Sequence, residues 1–287
     1  MRFLLAPAFA GLAACSTLPN AAKMSEFGKA VTDSSAVLQD ALDMSGRVAA
    51  QTEIERQARR VVRRQSTGIG VAPAPLLEPE RVALRLQAVR ALRDYGKALA
   101  EAADKGNVDE LEAAAGRVGN AVAQFAAVAS PAAAPIAAPA IRLAARGFGS
   151  LLASVYAAEI QAIIRSRDAQ IALLADLLRQ DLEGLAVLLK LQVNLYANER
   201  LGTYSAVRDD RRVDRLRLYD EFRRAQQELD AMKASLAALE RFGGALQALR
   251  DTHHALATSE PDGDVVLRRF LGAVEDLAAL AAAIRRN

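Results

Sequence analysis

The chain has 287 residues and 30.6 kDa, with 37 Lys and Arg against 34 Asp and Glu, a net charge of +3 at pH 7. One cysteine excludes an internal disulfide framework and a Cys-cluster metal site, and two adjacent histidines, His253 and His254, leave little for imidazole catalysis or zinc. The near balance of charge argues against a nucleic-acid footprint, and an alanine- and leucine-rich chain with 5% aromatics points to an all-α fold.

Met1-Arg2 is a short positive start, and Phe3 to Ala13 is an apolar run of signal-peptide length, too short to span a bilayer. It closes on Leu12-Ala13-Ala14-Cys15. This resembles the lipobox of bacterial lipoproteins, in which small residues precede an acylated cysteine, and Cys15 is the only cysteine in the chain. The resemblance covers residues 1–20 alone. It implies that 1–14 is a lipoprotein signal peptide, cut between Ala14 and Cys15, and that Cys15 carries covalent lipid. Each buried methylene of such a lipid contributes about 0.8 kcal/mol to anchoring. Asp after the cysteine tends to hold such proteins at the inner membrane in enteric-type bacteria. Ser16 therefore implies the periplasmic face of the outer membrane, with residues 15–22 as a tether.

Helix follows. Met24, Phe27, Val31, Leu38 and Ala41 keep a 3–4 spacing, and this segment ends in Arg56, Arg59, Arg60, Arg63 and Arg64, cations suited to a helix C-terminus. Residues 65–79 hold Gly68, Gly70, Pro73, Pro75 and Pro79 and read as a connector, with Pro79 able to start a helix. Val82, Leu86, Val89, Leu92 and Leu99 mark a second helix ending near Gly106. Asn107 to Glu110 resembles a capping box before a third helix reaching about Ala129. Residues 23–129 thus read as a three-helix part. Three prolines make 130–139 a second connector.

Residues 140–287 read as a long antiparallel, coiled-coil-like hairpin plus a C-terminal helix, so that the whole is an elongated helical bundle. The first arm runs from about Ala140 to Leu201, Gly202 serves as the turn, and the second arm runs from about Ser205 to Thr258. With Gly202 at the turn, facing residue numbers sum to about 404, which sets Leu191 against Val213, Leu188 against Leu216, Leu185 against Tyr219 and Leu182 against Phe222. Pro261 and Gly263 precede the last helix. Ala145, Gly149, Ala153 and Ala157 make a small-residue stripe fit for close helix packing, and the same register brings Gly243 and Gly244 beside it.

Chemistry has few places to reside. Consecutive histidines point about 100° apart on a helix, and Asp251 is the local partner for His254. No catalytic residue, metal ligand or non-covalent cofactor is expected. The hairpin tip, with Tyr204, Arg208, Arg211, Arg212 and Arg215, is the candidate partner site, because Tyr and Arg anchor interfaces. The expected function is a non-enzymatic outer-membrane lipoprotein acting as scaffold or adaptor toward another envelope protein or peptidoglycan. The alternative is a membrane-active protein resembling helical pore formers and inserting around residues 147–164, a stretch interrupted by Glu159 and Gln161.

Overall fold

The computed structural model describes residues 21–65, 79–129, 152–208, 210 and 212–285. They form six helices: α1 (Ala21–Val62), α2 (Pro79–Lys105), α3 (Val108–Ala129), α4 (Leu152–Arg208), α5 (Arg215–Thr258) and α6 (Gly263–Arg285). No strand occurs among the described residues. The fold is an all-α bundle built around a long antiparallel hairpin, α4–α5. The lipobox, residues 66–78, the Ala/Pro connector and residues 140–151 lie outside the described set.

The hairpin seam is a heptad pattern. On α5, Met232, Ser235, Leu239, Phe242, Leu246, Leu249, His253 and Leu256 alternate three and four apart and are all buried. On α4, Ile171, Leu174, Leu178, Leu182, Leu185, Leu189 and Val193 keep a similar period and are buried too. Steps of three and four stay close to the 3.6-residue turn, so the stripe stays on one side of each helix and the two helices pack along each other.

The hairpin turn differs from expectation. Gly202 lies inside α4, which continues to Arg208. A Cβ at Gly202 would fall 2.8 Å from Cδ of Arg59, so this glycine makes room for an α1 side chain and does not end the helix. The reversal follows Arg208 and closes at Asp214, whose carboxylate accepts from the Leu216 N–H and caps α5. The shift moves the register. Tyr196 bonds Glu228, Arg200 meets Glu221, and His253 meets Asp168, so facing numbers sum to about 421–424. Leu188, Leu191, Leu216, Tyr219 and Phe222, expected in the seam, are exposed.

α1 is the central helix. It packs on α2, α4, α5 and α6, and one apolar core includes residues of all six helices. Its buried face carries Ser34, Ser45 and Thr52, whose hydroxyls donate to the carbonyls of Val31, Leu42 and Val48 one turn back. Such bonds satisfy a buried hydroxyl without a partner helix. α1 and α2 cross at Gly28 and Gly96: a Cβ at Gly28 would sit 2.4 Å from the Gly96 carbonyl oxygen, and one at Gly96 would sit 2.7 Å from that of Gly28. α2 then ends at Gly106, where φ of 76° reaches the left-handed region open to glycine, and α3 turns back.

These pairings order the bundle end to end. Lys23 pairs with Asp264, and Lys29 with Asp104, at the end where α1 begins. Glu55 pairs with Arg200, and Arg59 with Glu199, where α1 ends beside the hairpin tip. The 42 residues of α1 separate the two ends by about 60 Å.

Candidate functional site

Beside the end of α1, helices α4 and α5 run on to the hairpin turn. Between them lies a cavity of about 310 Å³. Its α4 wall includes Tyr196, Ala197, Leu201, Tyr204 and Val207, and its α5 wall Val213, Leu218, Phe222, Ala225 and Leu229. The rings of Tyr204 and Phe222 meet across it at 5.5 Å between centroids. Leu201, Leu216 and Tyr219 continue the apolar surface outward, at 62%, 75% and 58% exposure. Large apolar side chains are rarely left exposed together unless something covers them.

The base of the tip is fixed by buried charge. Arg200 donates to Glu55 at 2.7 Å and to Glu221 at 3.3 Å, and Arg59 meets Glu199 at 3.0 Å. Burial raises the Glu55 carboxyl above the ordinary range, against the opposing pull of Arg200. The Tyr196 hydroxyl donates to Glu228; burial first, and then that bond, raise the phenol above its ordinary value. Arg56 and Arg59, in the basic run ending α1, are thus tied to Glu199 within the fold.

The candidate tip residues separate into groups. Tyr204 lines the cavity. Arg212 is clipped to Asp210, through Nε at 3.0 Å and Nη2 at 2.8 Å, which holds the Asp210 carboxyl at about 2. Arg208 and Arg215 are exposed, and Arg211 lies outside the described residues. Arg217, one of the arginines of the charged tip, is the cation at the cavity wall with no ion pair among the described residues.

The small-residue positions are likewise divided. Ala145 and Gly149 lie outside the described residues, as does the side chain of Ala153; Ala157 is half-buried on α4. Gly243 and Gly244 sit beside Arg179 of α4, far in sequence from that stripe. A Cβ at Gly243 would make only ordinary contact with Arg179, at 3.6 Å, and one at Gly244 would meet nothing within 4 Å. The close crossing belongs to Gly28 and Gly96. Among the described residues no helix is long and apolar enough to cross a membrane. Ile160, Ile163 and Ile164 are in the core, and Gln161 donates to the carbonyls of Leu256 and Ala257.

A second polar cluster was not legible as such. His253 is fully buried in the α5 seam, with Phe27 and Tyr95 against its ring. Asp168 accepts at 3.0 Å from its Nδ1 and, through its other oxygen, at 2.6 Å from Nδ1 of His254. A carboxylate only accepts, so Nδ1 of His253 carries the proton and Nε2 accepts from the Tyr95 hydroxyl at 2.9 Å. Asp251, the expected partner of His254, instead bonds Arg250. Burial lowers the His253 pKa, opposed by Asp168; the bond to Asp168 raises that of exposed His254. Burial acts to raise the Asp168 pKa, but the two imidazole bonds outweigh it and the carboxyl stays below its ordinary value. The chain Tyr95–His253–Asp168–His254 ties α2, α4 and α5 together. No group of three or more His, Cys, Asp or Glu among the described residues is placed to hold a metal ion.

No protein-family model, curated protein or solved structure matches this chain.

Proposed function

We propose that the protein is an outer-membrane lipoprotein of the periplasmic face that works without catalysis, as a scaffold or adaptor joining the membrane to another envelope component. Cys15 is its lipid anchor and the hairpin tip its docking end. The observation carrying this reading is polarity along the bundle. α1 begins at one end, next to the tether, and about 60 Å away the tip presents Leu201, Leu216 and Tyr219 among arginines. Apolar residues framed by arginine are the usual chemistry of an interface centre and rim. The partner class is an envelope protein or peptidoglycan, not nucleic acid.

Two measurements test it. A fatty-acid probe labels the parent and not Cys15→Ala; labelling retained in that variant removes the anchor. A photocrosslinker replacing Tyr219 traps a specific envelope partner that the same group at Glu183, on the exposed α4 face, does not. Equal trapping from both positions removes the tip as the docking end.

A further inference from the structure

The tip cavity has the dimensions and charge of a site for one hydrocarbon chain bearing an anionic head. Its α4 wall runs from Tyr196 to Val207, about 16 Å at the helical rise. A volume of about 310 Å³ open to the centres of water-sized groups over that length corresponds to a slot on the order of 8 Å between its walls. An α-helix, about 10 Å across, is too broad to enter it. A single extended alkyl chain is narrow enough. The volume is at the low end for small-molecule sites, which are mostly apolar with a few placed polar groups.

The polar groups are distributed with a direction. Leu229, Ala225 and Ala197 line the end toward the bundle, where Tyr196 is held by Glu228. Arg200 and Glu221, midway along, pair with each other, and Arg224 also holds Glu221. Arg217 lies one turn nearer the turn of the hairpin and has no ion pair among the described residues. The slot is therefore mostly apolar toward the bundle and, toward the hairpin turn, bears a cation with no ion pair among the described residues.

We propose that this slot binds a single-chain fatty-acid-type carboxylate, its alkyl chain lying between α4 and α5 and its carboxylate on Arg217. The proposal goes beyond the adaptor reading and does not depend on the anchor: it stands for an unacylated chain as well.

The test uses the full chain carrying Cys15→Ser, prepared without detergent, and straight-chain carboxylates of eight to sixteen carbons below their micelle concentrations. Calorimetry gives the affinities. Each added methylene strengthens binding about fourfold while it enters the slot. The gain stops at on the order of twelve carbons, the length of chain that fills about 16 Å. Arg217→Gln weakens dodecanoate about tenfold and leaves dodecanol unchanged. Ala225→Phe and Ala197→Phe, which fill the slot from opposite walls, abolish binding of both, with melting curves confirming that each variant is folded. No binding, a gain that never levels off, or equal loss of dodecanoate and dodecanol in Arg217→Gln overturns the proposal. So does full binding in both folded Phe variants. Capture of an envelope partner through Tyr219 is a separate readout, so failure of either idea is seen without the other.

Discussion

The crossing of α1 and α2 lends itself to a one-atom test. In Gly28→Ala the new methyl would lie 2.4 Å from the Gly96 carbonyl oxygen and 2.7 Å from the Ala100 amide nitrogen. Ordinary carbon–oxygen contact is about 3.3 Å or more, so the helices must part by roughly 1 Å. Both obstructing atoms are backbone, and no rotamer change relieves them. Overpacking of this kind costs about 1–3 kcal/mol, and a gap of about 1 Å along the seam forfeits up to half of the dispersion contacts beside it. Against this, alanine in place of glycine inside a helix gains about 1 kcal/mol. A net loss of up to about 2 kcal/mol results, a fall in Tm of up to roughly 8 °C for a domain of this size, where the open control gains stability instead. Gly184→Ala is the control: a methyl there, on the exposed face of α4, meets nothing within 4 Å, and the variant should gain about 0.5–1 kcal/mol. The assay is urea unfolding followed by helical ellipticity, with variants compared at constant slope. A Gly28→Ala protein as stable as Gly184→Ala would refute the crossing geometry.

The corrected hairpin register makes a second contrast. Leu185→Asp buries an unpaired charge in the α4–α5 seam and should cost more than about 3 kcal/mol, whereas Leu191→Asp, at a site 63% exposed, should change stability by about 0.5 kcal/mol or less; equal losses would restore the register centred on Gly202. The histidine cluster predicts a pH signature. His254 has a raised folded pKa, so its contribution is fully present below its unfolded value of about 6.5 and is lost as pH rises through the folded pKa. His253 has a lowered one, so its contribution is present above about 6.5 and lost as pH falls. His254→Gln should therefore match the parent near pH 9 and fall progressively behind it as pH drops from about 9 to about 6.5. Parallel stability curves across that range would show that Asp168 does not discriminate the two rings.

Helix content and most helix ends were readable because they are local. Spacing of three and four found every described helix, Gly106 ended α2, and Pro79 began it. The turn was misread because glycine has two uses. At Gly202 the missing side chain accommodates Arg59 from a distant helix, which nothing near position 202 announces. The local signal was Asp214, a capping carboxylate two residues before Leu216. An error of about ten residues in the turn rotates each helix and exchanges its seam for its surface, so Leu191 and Tyr219 were placed inside. The same displacement hid the facing of Asp168 and His253. The tip was legible as a charged, tyrosine-bearing end. Its slot was not, since it depends on which faces of α4 and α5 converge.

The central place of α1 fixes an order of events during synthesis. Its partners include Arg200 for Glu55 and Arg285 for Asp40, 145 and 245 residues later in the chain. α2 covers part of α1 early, but the enclosure of α1 is complete only once α6 has emerged. Long sequence separation between contacts slows folding and prolongs exposure of such surfaces to aggregation. The arrangement couples completion of the core to the emergence of α6, and a product cut short before α6 would leave the α1 face around Asp40 without the cover that α6 supplies.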